Sequence, residues 1–186
     1  ADNFHPARSG SGALYTVEHF RAVRARLAAG GLFCQWLPLH QLDLDTLRSI
    51  IATFQIVFAR SGAILATNSL DTPVLGLVAR EDDSRFALDA VRTRVALSKL
   101  DLEAYGLADE WAVAGSFVAG ARGLQGFAAS APINTDDHPV VAYAAPRITY
   151  VPASRPRDRL LELLQRLGAD AADVVDAGDD AVASRL

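Results

Sequence analysis

The chain is predicted to be an α/β protein, and the order of its apolar segments is the main reason. Apolar residues recur at helical spacing in two early segments and run continuously in three shorter ones, in the order helix, strand, helix, strand, strand. The composition agrees with a folded domain, since 51% of the residues are hydrophobic and 22% are charged. Together these observations indicate helices layered on a sheet.

The first helix and strand have clear start and stop signals. Residues 2–13 are rich in Gly, Ser and Pro and are predicted to form a loop. Thr16 is a good N-cap for the helix that follows, and Gly30-Gly31 should end that helix. The apolar run 32–39 is short and continuous, which is typical of a buried strand in a parallel sheet.

The second helix should begin at Asp43 or Asp45, either of which can cap it. Strands are expected at 63–66 and 74–78. A parallel sheet with so few strands cannot bury both of its faces. We therefore expect residues 1–80 to be the second half of a domain whose N-terminal half is absent from this sequence, and the isolated chain to leave apolar strand faces uncovered.

The rest of the chain is predicted in three parts. Residues 81–130 are alanine-rich and should form a helical insertion, with one of its helices over 111–127. Residues 131–150 should form a loop, containing Asn-Thr-Asp-Asp-x-Pro, and a strand. Residues 151–186 should be a helical tail, where a leucine stripe over 160–167 either covers its own domain or docks a partner.

Charge and cysteine content exclude several classes of function. A formal net charge of -4 gives no electrostatic reason to expect nucleic acid. The single Cys34 excludes an internal disulfide and a multi-cysteine zinc site, and it is expected to be a buried small hydrophobe. The scattered histidines lack metal-ligand spacing, so no metal is expected. No run approaches the ~20 apolar residues of a membrane-spanning helix.

Two acidic sites are candidates for chemistry. A carboxylate at position 2, in a loop at the carboxyl edge of a parallel sheet, could accept a proton from an amine or hold a cation. Loop aspartates, however, more often form turns. The pair Asp136-Asp137 could likewise bind a cation or act as a base, but we favour an Asx-type turn that caps neighbouring amides and could border the site as part of that turn.

Three motifs taken together resemble the spermidine synthases, the polyamine aminopropyltransferases. The first is Asp2-x-x-His5-Pro6 with a Gly/Ser loop and Leu14-Tyr15, and the second is Gly31-Leu-Phe-Cys-Gln35-Trp. The third, Asn134-Thr-Asp-Asp-x-Pro139, resembles a bacterial branch in which the synthase domain is often fused behind a membrane-embedded region. The resemblance covers residues 1–80 and 131–147 well.

This resemblance implies the C-terminal half of a Rossmann-like sheet of the S-adenosylmethionine-dependent transferase type, followed by a helical extension. It implies transfer of an aminopropyl group from decarboxylated S-adenosylmethionine, a co-substrate, to a putrescine-like amine. The site residues that it implies are Asp2 as the catalytic base, His5, Tyr15 and Gln35 at the amine, and Ser9 and Leu14 at the donor. It also implies a cytoplasmic domain of a membrane-anchored parent, and it is compatible with a homo-oligomer.

Two positions depart from the family pattern. His5 stands where the family has a second aspartate, and a mostly neutral imidazole cannot replace that charge. Leu70 stands where a tyrosine is expected, and it cannot donate a hydrogen bond. Two alternatives therefore stay open, which are a methyltransferase-like enzyme using the same kind of donor and a non-catalytic domain that binds polyamine or protein.

Overall fold

The structure is a computed structural model that describes residues 5–66, 69–149, 155–168 and 173–176. Its α-helices are α1 Val17–Arg24, α2 Leu44–Val57, α3 Leu88–Ala96, α4 Glu110–Gly115, α5 Ala121–Phe127, α6 Val140–Thr149 and α7 Pro156–Arg166. Its strands are β1 Leu32–Pro38, β2 Gly62–Leu65, β3 Val74–Arg80, β4 Phe86–Ala87, β5 Phe117–Ala119 and β6 Val175–Asp176. Short 3-10 helices span Ser11–Tyr15 and Glu103–Tyr105. The protein is thus a mixed α/β fold, as the sequence predicts.

The caps predicted for the first two helices are confirmed. The Thr16 side chain accepts a hydrogen bond from the His19 amide at 3.3 Å, and α1 begins at the next residue. The Asp43 side chain accepts from the Thr46 amide at 2.8 Å at the start of α2. Each cap satisfies a backbone N–H that the helix itself leaves unpaired, so the local sequence fixes where the two helices begin.

The main sheet has the strand order β1-β3-β2-β5, and its pairings are antiparallel. The sequence predicts that β1 belongs to a parallel sheet. That prediction is wrong for the observed pairing, because β1 pairs with β3 in the antiparallel direction. The physical reason is that β3 follows β2 after a short turn, which permits only antiparallel pairing, and then inserts between β1 and β2. Because β1 and β2 are both antiparallel to β3, they are parallel to each other, with α2 as the connection between them.

The two faces of the sheet have different environments. On β1 the odd-numbered Phe33, Gln35 and Leu37 are buried on the face that carries the main core, whereas Leu32, on the other face, is 51% exposed. Four phenylalanine rings join α1, β1 and α2 in that core, with centroids 4.9 to 6.3 Å apart (Phe20, Phe33, Phe54 and Phe58). Aromatic packing therefore helps to fix the second helix against the sheet, together with its buried aliphatic side chains.

Two segments differ from the sequence-based expectation. The helix predicted over 111–127 is α4, the short strand β5 and α5, because Gly115 and Gly120 interrupt the helical run. The strand predicted within 131–150 is the helix α6. Its buried residues, Val141 and Ala145, are four apart, which is the helical period and not the period of two that a strand requires.

The leucine-striped helix α7 packs on its own domain. Leu160, Leu163 and Leu167 are buried in the main core, and Leu161 is 47% exposed. The Arg159 guanidinium donates hydrogen bonds to the carbonyls of Leu39 and His40, both at 3.2 Å, which ties α7 to the turn after β1. Of the two interpretations of the stripe, the one in which it covers its own domain is confirmed.

Candidate functional site

The candidate site is built on β1, which has one open edge in the described part of the chain. Gly31 O accepts from the Glu81 amide, and the Leu39 amide donates to Pro73 O, so the odd-numbered residues of β1 exchange backbone hydrogen bonds with β3. The N–H and C=O groups of the even-numbered residues therefore point to the opposite edge. Those of Cys34 and Trp36 lie in the middle of that edge.

Gln35 lies beside this edge and is fully buried. Its Nε2 donates to the outward-facing carbonyl of Trp36 at 3.1 Å, and this contact fixes which end of the amide is the oxygen. Its Oε1 is buried and has no hydrogen-bond partner among the described residues. Gln35 therefore presents an unused acceptor, which a donor such as an amine would satisfy.

Beyond the carboxyl end of β1, the turn before α2 carries further polar atoms. The Nδ1 atom of His40 and the Oε1 atom of Gln41 are buried without a partner among the described residues, as is Nδ1 of His5. Burial lowers the pKa of His40, and the neighbouring charges of His5 and Arg159 lower it further. This electrostatic interaction shows that the structure brings His5, from the start of the chain, next to the turn after β1.

The depressed pKa of His40 predicts a specific loss of stability in acid. A lowered pKa in the folded chain means that the unfolded chain takes up a proton more readily. The contribution of His40 to the free energy of unfolding is therefore fully present above the ordinary histidine pKa of ~6.5 and falls as the pH drops below it. We expect Tm to decrease between about pH 7.5 and about pH 5.5, and His40→Gln to make that decrease shallower. Thermal unfolding across this range measures it. His138→Gln, a change at an exposed histidine, serves as the control. Identical pH profiles for the wild type and His40→Gln would contradict the prediction.

The loop that precedes α1 is packed, not open throughout. Residues 11–15 form a 3-10 helix, although the sequence predicts a loop through most of this segment. Gly12 lies so close to α6 that a Cβ at this position would be 2.9 Å from the Cβ of Ala142. Tyr15 is fully buried, and burial raises its pKa to about 12, so its hydroxyl stays protonated at neutral pH. Leu14 is half-buried beside it, and Ser9 is exposed.

Asn134 connects this loop to the Asn-Thr-Asp-Asp turn. It is fully buried, its Oδ1 accepts from the Val141 amide at 3.1 Å, and its Nδ2 donates to Gly12 O at 3.5 Å. Its backbone carbonyl accepts from the Val17 amide at 3.0 Å. These contacts give Asn134 the capping role that the sequence predicts for the turn, and they hold the loop, α1 and α6 together.

The carboxylates of this turn are exposed. Asp136 and Asp137 both reach solvent, and the Asp136 amide donates to Glu18 Oε2 at 3.1 Å, at the start of α1. In the same turn, Thr135 Oγ1 accepts from the His138 amide at 2.9 Å. The turn therefore borders the packed loop, and its acidic side chains lie beside α1.

The predicted site residues fall into three groups. His5 lies near the turn after β1, Gln35 lies on β1, and Leu14 and Tyr15 lie in the packed loop. Asp2 is outside the described residues, and Leu70 is half-exposed in the turn before β3. Sequence reasoning missed His40 and Gln41 as candidates, although polar residues directly after a buried strand were a signal that could have indicated them.

Comparisons with protein-family models, with curated proteins and with solved structures found no match to this chain. Among the helices of the described segments, none has the length and apolar character needed to cross a membrane.

Proposed function

We propose that this chain forms the amine-binding half of an aminopropyltransferase-like site and works together with a donor-binding half in a longer protein. The observation that carries the proposal is the buried Oε1 of Gln35, which has no hydrogen-bond partner among the described residues and lies beside the open edge of β1. A buried acceptor left without a partner costs about 1–3 kcal/mol. A ligand that donates an N–H bond to Gln35 would remove that cost.

The topology supports a Rossmann-like sheet of the transferase type. The strands β1 and β2 are parallel and are connected through α2, and one strand position between them is taken by the reversed β3. Sheets that combine parallel strands with an antiparallel one are common among large α/β folds. Further parallel strands beside the open edge of β1 would complete the sheet, and ligands of such sheets bind beyond the carboxyl ends of the strands. His5, His40 and Gln41 lie at that end of β1.

The proposed reaction is a single displacement. The nitrogen of the amine attacks the methylene carbon next to the sulfonium of the decarboxylated donor, the new C–N bond forms, and the C–S bond breaks. Methylthioadenosine leaves as a neutral thioether, which takes up the electron pair of the broken bond. Asp2 accepts the proton that the amine must lose, and the acceptor atom of Gln35 orients the nitrogen.

Aminopropyl transfer by the full-length protein tests this proposal. We expect Asp2→Asn to lower kcat/KM by roughly 100- to 10,000-fold, as loss of a general base does. We expect Gln35→Leu to raise KM for the amine by about tenfold or more, since a hydrogen bond to a charged group is removed. Asp71→Asn, a change at an exposed aspartate in the turn before β3, is the matched control and should leave both constants unchanged.

Supplying both forms of the donor separates this reaction from the alternatives. Transfer of a methyl group from the carboxylated donor would replace the proposal by a methyltransferase activity. If calorimetry detects amine binding but the protein shows no turnover, a binding role would replace the proposed enzymatic one. Full activity of Asp2→Asn would exclude Asp2 as the base and, with it, the proposed route of the proton.

A further inference from the structure

A cavity lies on the opposite face of the sheet from Gln35. It has a volume of about 330 Å³, and its floor is formed by the even-numbered face of β1 with β2 and β3. Its roof is formed by α3, α4 and the residues around them, including Val91, Leu107 and Val113. The cavity therefore lies between two layers of the fold and is open on part of its boundary.

Two glycines in the strands make room for the cavity wall. A Cβ on Gly76 would lie 2.6 Å from Cζ3 of Trp36 and 2.9 Å from Cγ1 of Ile64. A Cβ on Gly62 would lie 3.1 Å from the ring of Phe117. Glycine within a strand often marks a site of close approach. Here Gly76 allows the Trp36 ring to lie close to the sheet as part of the cavity wall. This position agrees with the core or pocket-wall environment that is typical of tryptophan.

The few polar groups that line the cavity are already engaged. Oε1 of Glu110 accepts from Nε of Arg92 at 2.7 Å. The hydroxyl of Ser116 donates to Val113 O at 2.6 Å. Burial raises the pKa of the Cys34 thiol to about 11, which keeps it neutral. The lining therefore offers little to a charged or strongly hydrogen-bonding ligand.

The size of the cavity limits the ligand that it can hold. Ligand pockets usually hold ~300–1,000 Å³, and at ~30 Å³ for a water-sized group this one holds about ten non-hydrogen atoms. A second cavity of about 390 Å³ shares Trp36, Ile64 and Leu107 with the first and extends to Tyr105. A protein helix, ~10 Å wide with its side chains, is too large for this space.

We infer that this cavity binds a small, uncharged, apolar molecule, such as an aliphatic chain of about ten carbons. The site is separate from the proposed amine site, because Gln35 lies on the other face of β1. The inference does not depend on the proposed enzymatic function.

Titration of the chain with decanol tests the inference. In a Trp111→Phe background, Trp36 emission reports on the cavity wall, and we expect it to change saturably with one decanol bound per chain. We also expect decanol to slow alkylation of Cys34 by N-ethylmaleimide. Decanoate and decylammonium should bind about tenfold more weakly than decanol, because the Glu110 carboxylate in the lining is already paired with Arg92.

A matched pair of variants on α3 locates the binding. Val91→Phe adds a ring to a residue that lines the cavity and should weaken decanol binding by about tenfold. Val95→Phe makes the same change one turn later and should leave binding unchanged. Absence of saturable binding, equal affinity for the charged compounds, or an equal loss in both variants would overturn the inference. If Val91→Phe does not fold, failure of decanol to protect Cys34 in the wild type would overturn it as well.

Discussion

Replacing Phe54 by alanine is expected to lower the free energy of unfolding by about 3–5 kcal/mol. The ring is fully buried, and its centroid lies 5.0 Å from that of Phe20 and 4.9 Å from that of Phe58. The change removes apolar area from the core, leaves a cavity between α1, β1 and α2, and breaks the ring contacts, which add to the loss. Because a domain of ordinary stability has only ~5–15 kcal/mol, much of the total would be lost.

Urea denaturation followed by circular dichroism measures this effect. Phe54→Leu, which keeps most of the buried volume, should lose less and serves as the control. At the same α-helix, Ile56→Ala changes a side chain that is 51% exposed and should lose less again. A loss below about 1 kcal/mol for Phe54→Ala would mean that the aromatic cluster does not hold α2 against the sheet.

The first part of the fold could be predicted because its signals are local. Thr16 and Asp43 satisfy amides only three residues away, so a short window of sequence contains the whole interaction. The end of the first helix was predicted less well, since α1 ends at Arg24, six residues before the glycine pair that was expected to end it. The direction of β1 relative to its neighbour could not be predicted by such signals. A continuous apolar run shows that a strand is buried, but it does not show which strand pairs with it. The partner of β1 is β3, whose residues lie more than 35 positions further along the chain.

The helix α6 shows the same limit at closer range. Val140 and Val141 are β-branched and follow a proline, a pattern that favours a strand. The contacts that decide against a strand come from other elements. Asn134 accepts from an amide in the first turn of the helix, and Gly12 lets the loop pack against Ala142. Tertiary contacts here override the local preference of the sequence.

For the candidate site, the sequence indicated a residue but not its surroundings, because those surroundings depend on tertiary contacts. A motif indicated Gln35, but not that its Oε1 would be buried without a partner, since this depends on how β1 sits in the sheet. The electrostatic interaction of His5 with His40 joins residues 35 positions apart, and no spacing within the sequence indicates it. Residue types can therefore suggest a site, but the unmet hydrogen bonds that make it a candidate for ligand binding appear only in three dimensions.

Replacing Asn134 by alanine is expected to lower the free energy of unfolding by about 2–4 kcal/mol. The change leaves the Val141 amide without its acceptor, in a buried environment, and removes the donor to Gly12 O. Each buried group left unpaired costs about 1–3 kcal/mol, and the loss at Gly12 O lies at the low end because that hydrogen bond is long, at 3.5 Å. Asp137→Ala changes an exposed side chain in the same turn and should stay within about 0.5 kcal/mol of the wild type.

Hydrogen exchange distinguishes this effect from a general loss of stability. The Asn134 side chain contacts both the loop before α1 and the first turn of α6, so its removal should release these two elements together. We expect the Val141 amide to lose protection by more than the global destabilisation accounts for, while the Leu77 amide in the central strand β3 follows the global value. Equal changes at both amides would mean that Asn134 only fills space. A selective change would show that one buried amide side chain couples the loop that carries Leu14 and Tyr15 to the acidic turn beside it.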